Sequence, residues 1–91
     1  MKYTIEESAR FRRELKTALK RGWDEEKLKA VVQILAAGKE LPLKYRDHAL
    51  SGNYNGYREC HITPDWLLVY KYIDNRLVLY LFRNGTHSDL F

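Results

Sequence analysis

Three histidines, His48, His61 and His87, share the second half of a 91-residue chain with Asp65 and Arg83. None falls in a helical pattern. His48 lies in a long polar connection, His61 near the end of a strand-like run and Asp65 in the turn that follows. Arg83 closes the last strand-like run, and His87 lies in the tail beyond it. Imidazoles, a carboxylate and a guanidinium in this combination suit cleavage of RNA by its own 2′-hydroxyl. That reaction needs a base for the 2′ proton, an acid for the leaving oxygen and a cation for the phosphorane. Histidine, with an unperturbed pKa near about 6.5, can carry the proton in either direction close to neutral pH. Arginine offers a charged fork matched to phosphate oxygens. Zinc is the competing use of such residues. However, His48, Cys60, His61 and His87 are not paired at the short spacings of a zinc motif, and the strand neighbours Cys60 and His61 point to opposite faces. The expectation is therefore chemistry with no metal and no cofactor.

The elements that must position these residues can be read from periodicity. "KYTI" (2–5) alternates and is rich in β-formers, which predicts a first strand. Ser8 offers a helix N-cap, and Phe11, Leu15, Ala18 and Leu19 repeat at helical spacing until Gly22. A second helix starts at Asp24, with Glu25 and Glu26 in its first turn and Leu28, Val31, Val32 and Leu35 on one face up to Gly38. The short join predicts an antiparallel helical hairpin. Residues 38–56 have no clear period, and a connection that long in a small domain is usually functional. The period then changes to two in "YRECHI" (57–62), "WLLVYKYI" (66–73) and "RLVLYLF" (76–82), predicting a three-stranded meander.

The fold class expected is α+β, in the order β-α-α-β-β-β. The first strand returns to the meander, giving an antiparallel sheet of about four strands with the helical hairpin on one face and a site on the other. In that arrangement His61, Asp65, Trp66 and Arg83 converge at one sheet edge, and the tail brings His87 and Phe91 along. Trp66 is divided evenly between core and stacking partner, and Phe91 between docking and fraying.

Composition bounds the rest. The length predicts one domain spanning 1–91, and 45% hydrophobic residues suffice for a packed core. The single cysteine cannot make an internal disulfide and is expected in the core. The absence of a membrane-length apolar run or a signal-like start predicts a cytoplasmic location with no membrane partner. Residues 1–50 carry 12 Lys/Arg against 8 Asp/Glu and residues 51–91 carry 4 against 4, so the whole excess of positive charge lies in the first half. The first helix alone, over residues 8–21, carries +5, and Arg10, Arg13, Lys16 and Lys20 on its outer face suit RNA or an acidic protein segment.

Residues 45–91 resemble the YafQ group of the RelE/ParE toxin superfamily, the toxins of bacterial toxin–antitoxin pairs. The landmarks are "RDHALSG", "GYRECHITPDWLLVYK" and "RNGTHSDLF". The first half agrees in pattern, with less diagnostic residues. The resemblance implies a RelE-like fold and an endoribonuclease that cuts messenger RNA in the ribosomal A site. It implies neutralisation by a cognate DinJ/RelB-like antitoxin, operator DNA contacted only through that complex, a heterotetramer with the antitoxin and a monomer when free. It places His48, His61, Asp65, Arg83 and His87 at the family's functional positions, with Trp66 and Phe91 supporting them. On this basis His87 is assigned the main proton transfer and Arg83 the phosphate. His48, His61 and Asp65 share base, acid and orienting duties, and Phe91 stacks on a nucleotide. Two competing readings are a gyrase-binding toxin without catalysis, which needs no histidine cluster, and a ribonuclease that cuts free RNA.

Overall fold

The computed structural model describes residues 1–91. Strand β1 (Thr4–Glu7) leads into helices α1 (Ala9–Lys20) and α2 (Glu25–Ala36), followed by β2 (His48–Ala49), β3 (Arg58–Thr63), β4 (Trp66–Ile73), β5 (Val78–Gly85) and a single helical turn, α3 (His87–Leu90). The helix boundaries follow the local chemistry. The Ser8 side chain accepts from the Phe11 amide and the Asp24 side chain from the Glu26 amide, each satisfying an orphan donor of the first turn. Gly22 and Gly38 lie just past the two helix ends at φ +85° and +76°, where an L side chain is strained.

The sheet has five strands in the order β1-β5-β4-β3-β2. Two expectations change here. Pairing of β1 with β5 is parallel, so the sheet is mixed rather than antiparallel. Strand β5 comes back beside β1 only after both helices and the strands β2 to β4, so no tight hairpin joins the two; β3 and β5 run the same way, each antiparallel to β4, and β1 runs with them. The second change is β2, a two-residue strand inside the long connection; two residues are too short to show a period in sequence.

One face of the sheet packs on the helices. Phe11, Val31 and Leu35 from α1 and α2 meet Cys60, Trp66, Leu68, Tyr70, Leu79 and Leu81 from the strands in one buried cluster. The other face carries a smaller cluster, Leu67, Val69 and Leu90, ringed by Leu50, Tyr54, Tyr57 and Phe82. Strand β4 is thus buried from Trp66 to Tyr70 on both faces, which accounts for its unbroken apolar run.

Candidate active site

A bulge in β5 decides which face Arg83 takes. Val69 pairs with Arg83 but Tyr70 pairs with Leu81, so Phe82 is an extra residue in β5. Without it, Arg83 would share Leu81's side and be driven under the helices. With it, Phe82 and Arg83 both join the face away from the helices. Beyond the bulge Asn84 turns inward, donating to the Phe11 carbonyl and accepting from the Trp66 indole N–H at 3.0 Å.

Two cross-strand rows then span the outer face. Arg83, Val69, Glu59 and His48 are successive partners across four strands, and Gly85, Leu67 and His61 across three. At roughly 4.8 Å per strand, the backbones of Arg83 and His48 are about 14 Å apart, and those of Gly85 and His61 about 10 Å. The sequence-predicted residues therefore form two groups on one face.

The first group is His48, His61 and Glu59. Glu59 is buried, at 6% exposure, and one of its carboxylate oxygens lies 3.5 Å from His48 Nε2 and 3.9 Å from His61 Nε2. His48 Nδ1 is 2.7 Å from the Arg46 carbonyl, which orients the ring. The loop carrying His48 is pinned through Asp47, which accepts from the Tyr70 hydroxyl at 2.5 Å and from Arg58 at 3.0 Å. Those bonds raise the Arg58 pKa, and burial followed by the Asp47 contact raises that of Tyr70. Sequence reading missed Glu59, although a signal was present: Glu59 and His61 are two residues apart on a strand and so share a face.

The second group is Arg83, His87, Phe91 and Tyr54. Arg83 is only 7% exposed. Its Nε and Nη2 bind the Glu14 carboxylate, with a shortest distance of 2.6 Å; Nη1 donates to the Tyr54 hydroxyl at 3.1 Å. Longer contacts run to the carbonyls of Asp89 (3.3 Å) and Leu90 (3.5 Å). The Glu14 hydrogen bonds push the Arg83 pKa above the ordinary arginine value. Arg83 therefore lies inside β5 rather than at its end, and its guanidinium is shared between α1 and the tail instead of being open to solvent. Glu14 and Tyr54 were also missed, for they contact Arg83 only through the fold.

The tail is folded back onto the sheet. Leu90 seats on Leu67 and Val69, and Thr86 and Asp89 form a capping box. Asp89 also pairs with Arg21 at 3.1 Å. Backbone bonding at Thr86, then Arg21, lowers the Asp89 pKa, so this contribution is complete above the ordinary carboxylate range and is lost as pH falls through the lowered value. A side chain on Gly85 would meet the Asp89 Cβ at 3.0 Å, so Asp89 would have to shift by a few tenths of an ångström. His87 is exposed, its ring 5.2 Å from that of Phe91, which in turn is 5.2 Å from Tyr54 and half exposed. Phe91 is thus docked on one edge and open on the other.

Two predicted residues lie apart. Asp65 is exposed in the β3–β4 turn, at the His61 end of the sheet, with no hydrogen bond or ion pair to any histidine. Trp66 is fully buried on the helix side, its ring 5.2 Å from Trp23. It cannot stack on a nucleotide, because strand alternation directs it into the core; its part is to hold Asn84 and the end of β5. Trp66→Phe is expected to cost about 1–2 kcal/mol in a urea melt, from the lost volume and the orphaned Asn84 acceptor. Cys60 is likewise core, and burial raises its thiol pKa well above the ordinary value. No group of three or more His, Cys, Asp or Glu is gathered to hold a metal ion.

Arg10, Arg13, Lys16 and Lys20 are exposed along α1 and take part in no ion pair, whereas the one acidic residue of that helix, Glu14, is taken up by Arg83. The exposed charges of α1 are therefore all basic, and the helix borders the site on its Arg83 side. No helix is long and apolar enough to cross a membrane.

Residues 3–91 match the family model described as the bacterial toxin of type II toxin–antitoxin system, YafQ. The mRNA interferase toxin YafQ of Escherichia coli K12 is 42% identical over 88 residues, covering 96% of this chain and 94% of the relative. A metal-bound toxin from Helicobacter pylori superposes with a TM-score of 0.93 at 45% identity, covering 98% and 99% of the two chains. YafQ in the E. coli DinJ–YafQ complex superposes with a TM-score of 0.88 at 41% identity, covering 98% of each. With sequence and fold in agreement over almost the whole length, the chain belongs to the YafQ family of type II toxin–antitoxin toxins.

Proposed function

We propose that the protein is an endoribonuclease toxin that cuts messenger RNA in the A site of the ribosome, in the cytoplasm, and is neutralised by a DinJ-like antitoxin. All 91 residues act as one domain. The observation that carries this reading is the pair of cross-strand rows, which lay His48, His61 and Arg83 on one face with His87 rising from the tail at the same end. A face about 14 Å wide suits an RNA strand lying across it better than a small ligand in a cleft.

In the reaction, the 2′-hydroxyl attacks the adjacent phosphorus, the bond to the 5′ oxygen breaks, and a 2′,3′-cyclic phosphate and a 5′-hydroxyl result. His87, exposed and flanked on one side by the Phe91 ring, transfers the main proton. His61 is the second proton carrier, because it stands nearer than His48 to the strand row that ends at the tail. Glu59 holds both imidazoles toward the face. Arg83 is the cation for the phosphorane: its contacts to the neutral carbonyls of Asp89 and Leu90, at 3.3 and 3.5 Å, are the ones phosphate oxygens replace. Phe91 offers its open edge to a base. Asp65 stays at the rim, where it can orient but not share a proton with a histidine.

Glu59→Gln is expected to lower kcat by roughly tenfold or more with KM little changed. The effect should be smaller than the about 10⁴-fold of a directly bonded carboxylate–histidine pair, because 3.5 and 3.9 Å are long for hydrogen bonds.

The deciding experiment incubates purified protein with end-labelled messenger RNA on programmed ribosomes and with the same RNA free. Cleavage only on the ribosome establishes the proposed activity. Cleavage of both makes the protein a general ribonuclease. Cleavage of neither by folded protein removes the catalytic reading.

A further inference from the structure

Beyond His61 the outer surface continues into a groove of about 650 Å³ between the start of α2, the turn at 43–45 and the end of β3. That volume is in the range that accommodates a nucleotide. Lys27, Lys44 and Arg46 line it beside Tyr45 and His61. The three cations are exposed and form no ion pair, and the groove's one carboxylate, Glu26, is already paired with Lys29 at 3.6 Å. Arg46 stands at φ +51°, which turns its carbonyl onto His48 while its side chain lines the groove. The Lys44 ammonium lies 5.0 Å from the Tyr45 ring centre, so cation and aromatic face are offered together.

We propose that this groove is an RNA-strand subsite: Lys27, Lys44 and Arg46 take backbone phosphates and Tyr45 takes a base, on the side of His61 remote from Arg83. It deepens, and rests on, the ribonuclease reading. Such a strand runs from the basic face of α1, past Arg83 and His61, into the groove. Its phosphates come either from the messenger or from ribosomal RNA, with the same chemistry.

The test has two arms. Lys27→Gln, Lys44→Gln and Arg46→Asn are combined, asparagine being chosen because it tolerates positive φ. On programmed ribosomes this variant should raise KM on the order of tenfold with kcat retained. Its log–log salt slope should fall by about 2, at roughly 0.7 per single-strand phosphate contact. Lys2→Gln with Lys39→Gln, at the opposite end of the sheet, is the control for loss of positive charge away from the groove, two charges against three. An unchanged KM and slope in the triple variant, or an equal effect in the control, overturns the subsite while leaving the ribonuclease reading intact.

In the second arm a photo-reactive benzoylphenylalanine replaces Tyr45 in a His87→Ala background, so that RNA capture is read without cleavage. An adduct with the messenger or with ribosomal RNA supports the subsite and identifies the strand. No RNA adduct, from protein that binds the ribosome, overturns it even if the parent chain cleaves.

Discussion

His87→Ala is expected to cut messenger RNA on the ribosome about 10²–10⁴-fold more slowly than the parent chain, the range for losing a positioned general acid or base. The loss should fall on kcat. His87 is exposed, and its ring touches only the half-exposed Phe91. The bond from the Phe91 amide to the His87 carbonyl belongs to the backbone and survives the change. Stability should therefore move by no more than about 0.5 kcal/mol. Near-normal cleavage by the variant would transfer the main proton step to His61 or His48. A large fall in melting temperature would instead mean that His87 holds the tail in place.

Glu14→Ala should be the most destabilising exchange of an exposed-helix residue in this protein. Glu14 accepts from Arg83 Nε and Nη2 and from the Asn84 amide, closing the edge of β5 where β1 has already left the sheet. Removing the carboxylate leaves a buried cation without its counter-charge, held only by neutral acceptors, and a backbone donor without a partner. Breaking a fully buried pair costs about 3–5 kcal/mol; since the Glu14 side chain is 20% exposed, about 2–4 kcal/mol is expected. For a domain of this size that lowers the melting temperature by roughly 10–25 °C. The tail should loosen too, because Arg83 also holds the carbonyls of Asp89 and Leu90. Glu14→Gln, which keeps an acceptor for Asn84 and loses the charge, should fall between parent and alanine. An unchanged melting curve for Glu14→Ala would show that Arg83 finds its partners without α1.

These two residues differ in how far sequence alone could reach them. His87 stood out by type, in a motif that resembles a toxin family, after an apolar strand. Glu14 looked like an ordinary solvated charge on a basic helix, with nothing local to connect it to a residue 69 positions away.

Capping residues, glycine stops and apolar spacing determined both helices, and period-two alternation with short turns determined the meander. These are short-range effects, in which each residue's neighbours along the chain supply the relevant contacts. The resemblance carried by residues 45–91 gave the family and the residue types of the site. Tertiary structure alone decided the parallel seat of β1 beside β5, the burial of Trp66 and the capture of Arg83 by Glu14. It also decided the face on which Arg83 works. One extra residue, Phe82, reverses the alternation of β5, and whether a strand absorbs such a residue depends on its pairing with β4 and on the helix beneath it. Pairing energies of that kind arise between residues distant in sequence, so the pattern along the chain could name the chemistry of this protein but not aim it.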